Sequence, residues 1–162
     1  MTDHVVHSIV EAKSCDAAQL SNLAMRSKAI WGYDASFMQA CEKELSYSAE
    51  NILAPNYHFY VAKKQNDVLG FYALQALSET QAELEALFVE PEWIGKGIGR
   101  ALIQHAIGFA KNQGWNSLII QGDPHAENFY RAAGGKNIGE RESDSIPGRY
   151  LPVFEILLNK NK

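Results

Sequence analysis

The chain has little cysteine, little proline, no excess of basic charge and no long apolar run, and each shortage closes off a class of protein. Two cysteines, Cys15 and Cys41, in 162 residues make no disulfide framework, so a reducing, cytoplasmic setting is expected. Neither has a recognisable histidine base beside it, which argues against a thiol nucleophile. A formal charge of −4 lacks the basic stripe of a nucleic-acid binder, so no nucleic-acid partner is expected. No run approaches the roughly 18 apolar residues of a spanning helix. His4 to Val10 is short and has no basic lead, so neither a membrane association nor a signal peptide is expected. Repeats, low-complexity tracts and linkers are missing, and the chain reads as one domain, 1–162. Five histidines offer no metal site. His4 and His7 point to opposite faces of a strand, and His58, His105 and His125 lack partners at ligand spacing.

What is present is a regular alternation of elements. Val5 to Val10 reads as a strand. Asp16, with Gln19 three residues on, reads as a capping box opening a helix that carries Leu20, Leu23, Ala24 and Ile30. Trp31-Gly32-Tyr33 breaks it, and Asp34 caps a second helix with Phe37, Met38, Cys41 and Leu45 on one side. Ser46 to Tyr57 reads as a loop. His58–Lys63, Val68–Leu77 and Gln81–Val89 form three strands joined by tight turns, an antiparallel meander. A helix bearing Ile98, Leu102, Ala106 and Phe109 stops at Gly114. Ser117–Gln121 follows that crossover, so it runs parallel to the strand before it. Asp123 caps a further helix with Pro124 at its first position, and Gly134 ends it. Lys136–Glu140 and Tyr150–Leu158 are the last strands, with a polar loop between them.

The informative stretch is Glu83 to Gln113, where a strand leads through Gly95, Gly97 and Gly99 directly into a helix. Amide groups at a helix N-terminus have no intrahelical acceptor and carry partial positive charge. Glycines there let a ligand approach the backbone, so the stretch predicts an anion cradle suited to phosphate. It is not a P-loop, because Gly97 follows Gly95-Lys96 where Ser or Thr is required. Nor is it a dinucleotide fingerprint: G-x-G-x-G follows a meander, five residues after the strand ends.

These residues resemble the GNAT superfamily of acyl-CoA N-acyltransferases. Its motif Gln/Arg-x-x-Gly-x-Gly/Ala aligns with Ile94 to Gly99. Leu-x-Val-x-Pro fits Leu87 to Pro91, and Asn-x-x-Ala-x-x-aromatic-Tyr is met by Asp123, Ala126, Phe129 and Tyr130. Ser145 to Arg149 and Trp31 to Tyr33 look like features of a bacterial branch. The sequence departs from the pattern at Ile94, where Gln or Arg is usual, at Asp123 for Asn, and at Gly135 for an aromatic. The resemblance implies an α/β, three-layer αβα fold, with a mixed, mostly antiparallel sheet of about seven strands and a splayed parallel pair. It also implies acetyl-CoA as co-substrate and direct acetyl transfer to a primary amine.

On that resemblance the pyrophosphate lies on the N–H groups of Gly95, Lys96, Gly97, Ile98, Gly99 and Arg100. Lys96 and Arg100 add charge that Glu90 and Glu92 formally cancel. Leu87, Phe88 and Val89 meet the pantetheine arm as an added strand would, and Asp123 and Asn128 lie near the cofactor. Glu83 and Glu85 are the candidate bases, placed by period two on one face with Leu87 and Val89. An ordinary glutamate pKa of about 4.3 is too low for an efficient base, so a working one is expected to be raised. Tyr130 is the candidate acid for the leaving thiolate, its alternative being a core tyrosine. Trp31, Tyr33 and Arg149 are candidates for the acceptor site, their alternative being packing. An Arg149 facing the pocket would favour a carboxylate-bearing amine. A non-catalytic acyl-CoA sensor is the rival function. The acceptor, small molecule or peptide, and any homodimer are left open.

Overall fold

A computed structural model describes residues 7–158. One seven-stranded sheet carries the molecule, in the order β1-β2-β3-β4-β5-β7-β6. Its strands are β1 (Ser8–Glu11), β2 (Tyr57–Lys64), β3 (Asp67–Ala76), β4 (Gln81–Val89), β5 (Ser117–Gln121), β6 (Lys136–Glu142) and β7 (Tyr150–Leu157). All neighbours are antiparallel except β4 and β5, which are parallel and separated by the crossover helix α4 (Ile98–Gln113). Helix α1 (Ala17–Ala29) covers one face, and α4 with α5 (Glu127–Ala132) covers the other. The expected three-layer mixed fold is therefore observed. Among the described residues no helix is long and apolar enough to cross a membrane.

The two faces have separate cores. Leu102, Ile103 and Ala106 of α4 pack with Leu74, Leu84 and Leu118. Leu20, Leu23 and Ala24 of α1 pack with Phe59, Phe71 and Ala73. Leu20, Leu23, Leu74, Leu102 and Leu118 are fully buried, and each such side chain contributes about 1.5–3 kcal/mol relative to exposure.

Four expectations change. Residues 5 and 6 of the first strand, and His4, lie outside the described residues; the described strand runs on to Glu11. Asp16 does not cap α1: its backbone is already helical and its carboxylate accepts the Lys13 N–H at 2.8 Å, which opens a 3₁₀ turn instead. The supposed loop 46–57 contains a helix, α3 (Ala49–Leu53). Its signal was local: Ser48 and Asn51 cap each other, Oγ accepting the Asn51 N–H at 3.1 Å and Oδ1 accepting the Ser48 N–H at 2.9 Å. The second helix, α2 (Ala35–Cys41), is capped by Asp34 as expected but stops short of Leu45, which is buried from the following turn.

A further change reaches the functional site. Ala73 pairs Ala86 while Leu74 pairs Leu84, so Glu85 is an extra residue bulged out of β4. A bulge reverses the period-two pattern on either side of it. Ala82 and Leu84 face α4 before the bulge, and Leu87 and Val89 face α4 after it. Glu83 consequently does not share a face with Leu87 and Val89, and the expected single row is overturned.

Candidate active site

Strands β4 and β5 pair only through Gln81, Ala82 and Glu83 against Ser117, Leu118 and Ile119. Beyond that they part, and from Leu84 onward the edge of β4 facing β5 has no strand partner. A cleft of about 630 Å³ occupies the opening. One end is lined by Gly95, Gly97, Gly99 and Arg100, the other by Glu44, Glu83, Glu85 and Asp144.

The glycine end is made by backbone. Gly95 and Gly97 have φ of +82° and +90°, where a side chain is strained. A Cβ on either would meet nothing within 4 Å, so both face open space. Gly99 differs: a Cβ there would sit 3.3 Å from the Phe129 ring, so this glycine seats α5 against α4. Gly97 is the N-cap of α4, and Ile98 is fully buried, leaving the first-turn amides as what this segment can offer a ligand. Arg100 lines the cleft, whereas Lys96 is exposed outside its lining. Glu90 is held by Arg26, with Nε to Oε1 at 3.1 Å, so it is drawn into an ion pair that opposes its effect on the cradle. Ile94 is 44% exposed and lines the cleft beside Gly95.

Leu87, Phe88 and Val89 line the middle of the cleft, paired to β3 on one side only. Opposite them stands Tyr130 of α5, 8% exposed. Gly122 makes room for its ring, since a Cβ there would lie 3.0 Å from it. Gly135 donates its N–H to the Tyr130 carbonyl at 2.8 Å. A Cβ at Gly135 would come within 2.8 Å of that oxygen, which is why no larger residue follows Gly134. Burial, then the Asp123 charge, pushes the phenol well above its usual pKa, so it is protonated at neutral pH. Its hydroxyl has no hydrogen-bond partner among the described residues. Asn128 is exposed and lies outside the cleft lining.

The two glutamates differ. Glu83 is ion-paired to Arg141, with Nη1 to Oε2 at 3.1 Å. Glu85, on the bulge, has no hydrogen-bonded or ion-paired partner among the described residues. Glu85 is exposed, yet partial desolvation in the cleft, followed by the charges of Glu83 and Asp144, raises its carboxyl to about 7, against the opposing pull of Arg141.

Tyr33 and Arg149 meet at Asp123, and Trp31 joins them through His125. The Tyr33 hydroxyl donates to Asp123 Oδ2 at 2.7 Å, Lys28 Nζ lies 3.2 Å from the same oxygen, and the His125 N–H reaches Oδ1 at 2.9 Å. Arg149 donates to the Tyr33 hydroxyl at 2.9 Å and stacks over Phe37. Trp31 stacks on His125, with ring centroids 4.7 Å apart. Burial alone would raise the Asp123 carboxyl, but these donors and Lys28 overcome it and hold it at about 2. This knot ties the end of α1 to the start of α5. Trp31 and Asp123 also line the cleft, while Tyr33 and Arg149 do not. Sequence reasoning missed Lys28, His125, Gly122, Glu44 and Asp144, which come to the site from separate elements with no local motif. Among the described residues no cluster of three or more His, Cys, Asp or Glu is placed to hold a metal.

Comparison with known proteins agrees with this geometry. Residues 20–134 match the model of the acetyltransferase (GNAT) family. Peptidyl-lysine N-acetyltransferase YjaB of Salmonella typhimurium is 30% identical over 93 residues, covering 57% of this chain and 59% of that protein. YjaB of Escherichia coli is 29% identical over 103 residues, covering 63% and 65%. The chain thus spans less than two thirds of these relatives' length. The fold matches PaiA N-acetyltransferase of Thermoplasma acidophilum, solved with coenzyme A, at a TM-score of 0.77 and 22% identity, covering 94% of this chain and 99% of that one. With the family model spanning most of the sequence and the parted strands leading to a glycine cradle, the chain belongs to the GNAT acetyltransferase family.

Proposed function

We infer that this protein transfers the acetyl group of acetyl-CoA to a primary amine by direct attack within a ternary complex. One observation carries the reading: a single cleft joins a bare backbone cradle to an isolated carboxylate of near-neutral pKa, with a buried phenol between them. The cradle fits coenzyme A, because any side chain on Gly95 or Gly97 would enter the space a diphosphate needs. Bound there, acetyl-CoA supplies the thioester. The free edge of β4 at Leu87, Phe88 and Val89 offers main-chain groups to its pantetheine arm.

The remaining steps belong to side chains of this chain. An alkyl ammonium with a pKa of about 10.4 must lose a proton before it attacks. Glu85 accepts it, directly or through water, and is better suited than Glu83, whose charge is committed to Arg141. The N–C bond forms, the C–S bond breaks, Tyr130 gives its phenolic proton to the departing thiolate, and the second proton shed by the new amide nitrogen returns to the phenolate through water. The surrounding apolar residues, Leu87, Val89 and Phe129, limit water at the reacting carbon.

An acyl-CoA sensor is the second reading. It is favoured by Ile94, which stands half exposed at the cradle where the family pattern has a polar side chain. Thiol release from acetyl-CoA in the presence of a broad amine panel separates the two. Acetyl transfer predicts turnover with at least one amine; tight acetyl-CoA binding with no turnover on any amine would establish the sensor instead.

A further inference from the structure

The cleft holds a second phenol besides Tyr130. Tyr47, between α2 and α3, lines it together with Glu85. Its main chain is pinned to α1: the N–H donates to Ser21 Oγ at 2.8 Å, and the same hydroxyl lies 3.2 Å from the Tyr47 carbonyl. Its ring stands edge-on to Phe59 of β2 and Phe71 of β3, with centroids 5.7 and 5.5 Å away. Both of those rings belong to the buried core under α1. Backbone and ring are thus fixed by three elements, while the Tyr47 hydroxyl has no hydrogen-bond partner among the described residues.

The free end of this phenol is turned to the acceptor end. Burial raises its pKa, and the charges of Glu44 and Glu85 raise it further, so it is a neutral hydroxyl at pH 7. It lies in the field of Glu85 without a hydrogen bond to it. A desolvated hydroxyl left unpaired costs about 1–3 kcal/mol, and a polar group entering between Tyr47 and Glu85 gains a contact that the chain itself does not supply. Acetyl transfer needs a contact of this kind. The carboxylates of this end attract an ammonium, but the attacking species is the neutral amine. Once the proton has moved to Glu85 that attraction is gone, and the nitrogen must still keep its lone pair on the thioester carbon. A neutral oxygen accepts an N–H hydrogen bond whatever the charge, and a fixed ring holds the nitrogen in one orientation.

We propose that the Tyr47 hydroxyl accepts a hydrogen bond from the reacting nitrogen of the amine and aims its lone pair at the thioester. Tyr47 is then a catalytic residue on the amine side, as Tyr130 is on the thiolate side. No covalent bond to Tyr47 forms or breaks, and its phenolic proton stays on oxygen. This rests on the acetyl-transfer reading above.

Tyr47→Phe tests it, because the substitution removes one oxygen and keeps the ring against Phe59 and Phe71. Thiol release by the intact protein is measured over a broad panel that includes a lysine peptide, spermidine, an aminoglycoside, glutamate and butylamine, and the variant is compared on the amine turned over fastest. The variant should lose about tenfold in kcat, the worth of one hydrogen bond at the reacting atom. Its coenzyme A affinity should stay within about twofold. The inflection near 7 should remain where Glu85 puts it, and Tm should not fall, since the hydroxyl has no protein partner to lose. Full retention of kcat would overturn the proposal and leave acetyl transfer standing. So would a loss of coenzyme A affinity in step with kcat, or a loss of the inflection, which would assign Tyr47 to cofactor binding or to the tuning of Glu85. Ser21→Ala is the second variant: it releases the main chain of Tyr47 and should lower kcat by about threefold, and an unchanged kcat there would equally overturn the proposal. Coenzyme A binding with no amine of the panel turned over would remove the acetyl-transfer reading and this proposal together.

Discussion

The two ends of the cleft are built from different materials. The cradle end is backbone: two glycines at positive φ, a buried isoleucine and the first turn of α4, all within residues 95–101. The acceptor end is side chain: carboxylates and phenols from β4, the turn after α2, the β6–β7 loop and α5, up to 101 positions apart for Ser145 and Glu44. A backbone site tolerates almost any change that keeps its glycines. A side-chain site is altered by any one of its contributors. On the proposed function, binding of acetyl-CoA and choice of acceptor are therefore separable, and substitutions should sort accordingly.

The sharpest break should come at Gly97. Gly97→Val forces a β-branched residue to φ near +90° and places a side chain in the open cradle. Calorimetric affinity for coenzyme A should fall by roughly a hundredfold or more, about 3 kcal/mol. Retained affinity would show that the diphosphate lies elsewhere. Tyr130→Phe should leave that affinity within about twofold but lower kcat by about a hundredfold, the usual worth of general acid help. A loss of affinity instead would assign the tyrosine to binding.

The acceptor end is probed by Glu85→Gln. In the unmodified protein kcat/KM should rise with pH through an inflection near 7, where the raised carboxyl ionises. In the variant that inflection should vanish and the rate should fall by about ten- to a hundredfold. An unchanged profile would pass the role to Glu83 or to water. Stability gives a second, smaller sign. The folded carboxyl titrates at about 7 and the unfolded one near 4.5, so the folded state binds more protons between them. Stability is therefore lost as pH rises through this window. Glu85→Gln should raise Tm slightly at pH 8, by about 1–2 °C, relative to its effect at pH 4. Asp123→Ala lies between the two ends and should mainly loosen the knot, costing about 2 kcal/mol in denaturant unfolding through a lost cap and orphaned donors.

The same division explains what was readable in the sequence. The cradle, the parallel crossover and the meander were legible, because glycine spacing, helical periodicity and tight turns are local signals. The seat of Tyr130 was not, since Gly122 and Gly135 matter only once β5 and α5 have packed. The bulge at Glu85 was invisible for a related reason. It is a mismatch of register between Ala73–Leu74 and Leu84–Ala86, expressed only when two strands pair. Misreading it put Glu83 in line with Leu87, and only the folded sheet separates the paired glutamate from the isolated one. The acidic far end was beyond reach because Glu44 and Asp144 belong to unremarkable polar turns until Ser145 joins them.

The central claim is that main-chain donors of the glycine loop hold the diphosphate and so aim the thioester between the parted strands. Titrating the ¹⁵N-labelled protein with coenzyme A tests it most directly. The amide signals of Gly95, Gly97, Ile98 and Gly99 should shift furthest and saturate together with the calorimetric isotherm. Saturating binding that leaves those four amides unmoved would contradict the account.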